Sequence, residues 1–258
     1  LEAVAPSAVS AAIEASLPFA IGDGLGRMVS PYASGPFYSN PLERIVERFH
    51  FDEVCGSPGP AFSICATNVR TGKIRVFQGD DITPAALMAS ACLPTLFCTV
   101  EIEDPETGRL EAYWDGGYTG NPALYPLFAP DLPRDILVVN INPLMRDEVP
   151  TSARAIQNRI NEISFNSSLL RELRAIEFVQ RLIDDGRIEE GQMKRVLVHM
   201  ISDDALMAQL SVATKIVPVP AVLHQLREAG AAAADAFLEA HLGQLGETSS
   251  VDLRAMFG

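Results

Sequence analysis

Ile136-Leu137-Val138-Val139-Asn140-Ile141 is an almost unbroken apolar run. A strand with one wet face alternates in sequence, and this one does not. The run therefore predicts a parallel strand covered on both faces. Arg195 to Ile201 reads as a second buried strand. Between them, from about Ser152 to Ile183, Ile156, Ile160, Ile163, Leu170, Leu173, Ile176 and Ile183 recur at a helical period, with Arg and Glu between them. Strands that alternate with helices predict an α/β sandwich.

The rest of the chain fits that class. Residues 1–16 are Ala-rich with helical apolar spacing. Residues 17–41 carry Pro18, Gly22, Gly24, Gly26, Pro31, Gly35, Pro36 and Pro41, too many breakers for a long element. Phe19, Tyr32, Phe37 and Tyr38 make this loop aromatic. It reads as a surface loop packed by its own rings or as a lid or substrate-lining segment. Asn40-Pro41 caps a short helix, Leu42 to Phe49. Ala61–Asn68 reads as a buried strand. Thr71-Gly72 turns it into a half-exposed strand, Lys73–Phe77. Thr83-Pro84 starts a helix over Ala85–Ala91, and Pro94 stops it. Leu96–Ile102 and Leu110–Trp114 form a strand pair around a polar tip at Asp104–Gly108. An amphipathic helix spans Ala221–Leu242. No linker or charge block divides the chain, so a single domain over 1–258 is expected.

The chemistry concentrates at Tyr113-Trp114-Asp115-Gly116-Gly117. A carboxylate ends a strand-like run, and two glycines let the chain turn at once. Such an aspartate has little rotamer freedom, and its bulky neighbours exclude water. That arrangement suits a fixed catalytic base. It equally suits a turn in which the Asp caps the backbone.

At 48% hydrophobic over 258 residues the chain can bury a large core. A net charge of −13 argues against nucleic acid as a partner, because its phosphates are bound by Lys and Arg. The same charge argues against purely electrostatic docking on anionic membranes, though not against a lipid taken up in an apolar cleft. Cys55, Cys65, Cys92 and Cys98 show no CxxC or Cys/His zinc spacing. They read as free, buried thiols in a reducing, cytoplasmic setting, with no metal and no cofactor called for. No apolar run reaches the length of a membrane span. The chain opens at Leu1, in mid-helix, so a preceding segment is expected and a targeting peptide is not legible.

Several segments, taken in order, resemble the patatin-like phospholipase family, in its bacterial intracellular-type branch. They are Ala66-Thr67-Asn68-Val69 with Thr71-Gly72, then Ala89-Ser90-Ala91-Cys92-Leu93-Pro94, Asp115-Gly116-Gly117, Asn121-Pro122, and Arg159-Ile160-Asn161-Glu162-Ile163-Ser164-Phe165-Asn166. The resemblance implies a three-layer α/β/α fold with a central, mainly parallel sheet. This chain would be the C-terminal three-quarters of that domain. It also implies a lipid acyl hydrolase, a phospholipase or esterase with a Ser-Asp dyad. Asp115 would be the base, and Gly116 and Gly117 its turn. The family's G-x-S-x-G nucleophile and Gly-rich oxyanion loop are absent from these residues. The nearest imitation of that loop is Gly22-Asp23-Gly24-Leu25-Gly26, in the breaker-rich loop. The nucleophile is therefore expected upstream. Partners would be an acyl-ester or lipid substrate, that upstream segment, and a second copy if the protein is a homo-oligomer.

A free aspartate has a pKa of about 3.9, too acidic to take a serine proton easily. Burial beside Tyr113 and Trp114 is expected to raise it. His50, His199, His224 and His241 need no role, and His199 reads as a satisfied core or edge histidine. Ser63 and Ser90 become nucleophile candidates only if the patatin reading fails. Two alternatives stay open. One is a patatin-like binding or scaffold protein without catalysis. The other is an unrelated α/β enzyme with Asp115 as a phosphate or metal ligand, although no second acidic residue stands close by in the motif.

Overall fold

The computed structural model describes residues 5–17, 30–49, 59–105, 107–189, 191–211, 213–214 and 217–258. The elements in chain order are α1 (Pro6–Ala15), α2 (Glu43–Val46), β1 (Ser63–Asn68), β2 (Ile74–Gln78), α3 (Pro84–Ser90), β3 (Val100–Asp104), β4 (Arg109–Asp115), β5 (Asp135–Asn140), α4 (Ala153–Asp184), β6 (Leu197–Ser202), α5 (Asp204–Met207), α6 (Pro220–His241) and α7 (Leu253–Phe257). The chain is mixed α/β. It divides into two compact units, one of residues 21–123 and one of residues 1–20 with 124–258.

The first unit holds a four-stranded sheet of order β2-β1-β4-β3, antiparallel throughout. A central, mainly parallel sheet is thus not what these strands form. The reason is local. Gly72, at φ 66°, closes the β1–β2 hairpin, and Gly108, at φ 62°, closes β3–β4. Strands joined by so short a turn must run antiparallel. Thr83 caps α3 by accepting the Ala86 N–H, with Pro84 in the first turn. Ala86 and Ala89 of α3 lie fully buried on Ala66, Phe77 and Tyr113 of the sheet. The helix expected over Leu42–Phe49 shortens to α2. Residues 18–29 and 50–58, with Gly22–Gly26, His50 and Cys55, lie outside the described residues.

The second unit holds the parallel pair β5–β6 in register Ile136↔Val198 and Val138↔Met200. Ser152 caps α4, which brings Leu173 and Ile176 onto Ile136, Val138 and Val198. Residues 136–140 of the run form the parallel strand its composition predicts, but among the described residues it is covered on one face only. Ile136 and Val138 are 4% exposed, whereas Leu137, Val139 and Ile141 are 50%, 66% and 63% exposed. The stripe of α4 is likewise split. Leu173 and Ile176 are buried, while Ile156, Ile160 and Ile163 face solvent. The first half of α4 instead clamps the segment after β5. Glu162 accepts from Arg146 Nε and Nη2 at 2.8 and 2.6 Å and from Arg159 at 3.2 Å, and Asn166 donates to the Pro143 carbonyl at 3.0 Å. On β6, His199 is fully buried, with Nε2 2.9 Å from Asp135 Oδ1 and its ring edge-on to Phe237 of α6. It is the satisfied core histidine the pattern predicts on its Nε2 side, although Nδ1 has no partner among the described residues. Among the described residues, no helix is long and apolar enough to cross a membrane.

Candidate active site

Asp115 is the last residue of β4 and pairs with Ala66 of β1. Its main chain is held from two sides. The Asp115 N–H donates to the Cys92 carbonyl at 2.8 Å, and the Thr67 hydroxyl donates to the Asp115 carbonyl at 2.8 Å. Thr67 also meets the Thr119 hydroxyl at 2.9 Å, tying both ends of the turn to β1. The turn itself is a short 3₁₀ segment, Gly116–Tyr118. Its glycines do not serve a positive φ. Gly116 is needed because a Cβ there would overlap the Cys65 carbonyl and thiol.

The Asp115 carboxylate is half-buried. Oδ1 accepts the Gly117 N–H at 2.7 Å, which fixes the side chain as the cap of the turn. Oδ2 accepts no hydrogen bond among the described residues. Burial pushes the carboxyl above the ordinary aspartate value, against the Gly117 N–H, which pulls it down. Strand alternation places Trp114 on the opposite face from Asp115. Of the two flanking aromatics, only Tyr113 shares its face, and the Tyr113 ring is committed to the core, edge-on to Phe77 at 5.7 Å.

Three protic groups surround this carboxylate. Burial and then the Asp115 charge raise the Cys65 thiol. Burial lifts Cys92 to about 11, against the Val100 backbone amide, with further increments from Asp115 and Cys98. Burial and then Asp115 also raise the Tyr118 hydroxyl. Cys65, Cys92 and Cys98 are free thiols, but only Cys92 is buried as expected, and Cys65 and Cys98 are partly exposed. A raised pKa leaves less thiolate, which weighs against Cys65 and Cys92 as nucleophiles. Sequence reasoning assigned these cysteines no place. Their apolar segments hid the fact that β1 and the end of α3 converge on one turn.

None of the serine and histidine candidates is hydrogen-bonded to the Asp115 carboxylate among the described residues. The Ser63 hydroxyl accepts from Gln78 on an exposed strand end. Ser90 ends α3. His199, His224 and His241 are all in the other unit. No serine hydroxyl or imidazole bonds the Asp115 carboxylate among the described residues. The peptide bond Asn121–Pro122 in the next turn is cis. Among the described residues, no three His, Cys, Asp or Glu side chains are placed to hold a metal ion. No protein-family model matches the chain, and a search of curated proteins returns no significant relative.

Proposed function

We propose that Asp115 is the base half of a Ser-Asp dyad in a lipid acyl hydrolase, a phospholipase or carboxylic-ester esterase. One observation carries this reading. Asp115 uses a single carboxylate oxygen to lock its own orientation on Gly117 and leaves the other open among the described residues, while burial raises its proton affinity. A base needs that combination of fixed geometry and a pKa nearer the working pH. Gly116 and Gly117 form the turn that aims it. The nucleophile is a serine outside these 258 residues, which contain no G-x-S-x-G. It attacks the ester carbonyl, Asp115 Oδ2 takes its proton and passes it to the departing alkoxide, and the alcohol leaves. Water then hydrolyses the acyl-serine.

On this reading the parallel pair β5–β6 belongs to a larger three-layer patatin-like sheet, whose further members would cover the open face of β5. The free thiols fit a reducing cytoplasmic setting. A non-catalytic patatin-like scaffold draws support from the same contact, because capping Gly117 is by itself sufficient reason for an aspartate at this turn.

The experiment is p-nitrophenyl butyrate turnover with a serine-reactive fluorophosphonate, run on the Leu1–Gly258 chain and on the intact protein. The dyad reading predicts turnover and labelling in the intact protein and neither in Leu1–Gly258. Turnover of Leu1–Gly258 that the probe abolishes would place the nucleophile inside these residues and overturn it.

A further inference from the structure

No charged residue occurs between Arg27 and Glu43, nor between Asp81 and Glu101, in a chain that is 21% charged. The structure brings the described parts of these two stretches together. The Tyr32 hydroxyl lies 2.6 Å from the Thr99 hydroxyl and accepts the Thr99 N–H at 3.0 Å. The Tyr38 hydroxyl accepts the Cys98 N–H at 3.1 Å. The described part of the loop is thus pinned to the second stretch at Tyr32 and Tyr38. Between the pins, Gly35 takes φ 50° with ψ −130°, a conformation that only glycine adopts freely, and Phe37 stands 92% exposed. On the other stretch, Leu96 is 46% exposed.

A single exposed phenylalanine is ordinary on a protein surface. This one sits on a pinned, charge-free loop that is continuous with the candidate site. The Cys92 thiol donates to the Cys98 carbonyl at 3.1 Å, and the Cys92 carbonyl accepts the Asp115 N–H. Asp115, Cys92, Cys98 and Tyr38 therefore form one bonded path from the Asp115 main chain to the residue beside Phe37.

We infer that the Ser30–Leu42 loop, with Phe37 at its exposed point, docks the protein on a neutral lipid–water interface beside Asp115. The chemistry fits a zwitterionic surface. Aromatic rings settle at headgroup depth, and the tyrosine hydroxyls stay satisfied while their rings lie flat against apolar matter. The absence of charge avoids the cost of desolvating an ion on insertion. The tyrosine pins remove much of the cost of ordering the loop on binding. The net charge of −13 repels an anionic surface. The choice of lipid as partner rests on the acyl-hydrolase reading.

The test is co-sedimentation of the protein with phosphatidylcholine vesicles, at low salt and at about 1 M, where exposed charges are fully screened. Binding is expected at both salt levels. Phe37→Ser is expected to lower the partition coefficient roughly tenfold, for one phenyl ring no longer leaving water. Its thermal melt and its turnover of a soluble monomeric ester should be unchanged. Asp115→Asn should bind vesicles like wild type, so failure of the dyad and failure of docking read out separately. No binding to neutral vesicles, equal binding by Phe37→Ser, or binding only to phosphatidylserine vesicles that salt abolishes would each overturn the proposal.

Discussion

Asp115 accepts the Gly117 N–H with Oδ1 at 2.7 Å and presents Oδ2 unpartnered among the described residues. The same contact stabilises the turn and, on the proposed dyad reading, would orient the base, so stability and catalysis would separate only when the charge is removed and the cap kept. Asp115→Asn does this.

Asp115→Asn is expected to raise the melting temperature at neutral pH. Burial raises the folded-state pKa of Asp115, so its ionised form is a cost to folding. The stability this group contributes is present below the unfolded value and is lost as pH rises through the folded one. The advantage of the Asn variant should therefore appear at neutral pH and vanish in acid, where Asp115 is protonated in both states. Melts across that range decide it. A variant less stable than wild type at pH 7 would show that the charge is compensated by a partner.

Gly116→Ala should destabilise the unit by about 2 kcal/mol or more, because the methyl group meets the Cys65 carbonyl, which is part of β1 and cannot yield without moving the strand. Urea denaturation measures this. A change under about 0.5 kcal/mol would mean that the turn has room to shift.

How much of this was legible in sequence depends on the range of the cause. Hairpins, caps and the long α4 were readable because Thr71-Gly72, Thr83-Pro84 and Ser152 act over a few residues. The turn at Asp115 was readable for the same reason. The uniform run at 136–141 gave the parallel strand but not its cover. Composition records what a strand tolerates, and cover depends on which elements reach it. Cys65, Cys92 and Thr67 were not legible as neighbours of Asp115. β1 and β4 pair across a long loop, and nothing in either segment names the other.

Glu162→Gln should cost about 1–2 kcal/mol, because it strips the charge shared by Arg146 and Arg159, and all three side chains keep some exposure. Burial raises the Glu162 carboxyl, but the two arginines outweigh it and hold it below the usual range. Its contribution is therefore present above the unfolded pKa and lost as pH falls through the folded one. The defect should be largest at neutral pH and disappear in acid. A pH-independent loss would point to packing alone.

The Leu1–Gly258 chain should self-associate. Leu137 and Val139 are exposed on β5, which pairs on one side only among the described strands. Val139→Lys should reduce the association without changing the melt. Light scattering after gel filtration checks this, and a monodisperse 27.9 kDa monomer would contradict it.

The most direct test of the central claim is the rate of ester hydrolysis by Asp115→Asn in the intact protein, measured as kcat/KM against pH. Loss of a dyad base predicts a fall of about 10³-fold or more, with the fold intact. The wild-type acid limb should lie above the 3.8 of an ordinary aspartate, because the base must be ionised and burial has raised its pKa. A variant that keeps more than about a tenth of the wild-type rate would show that Asp115 shapes the turn and takes no proton.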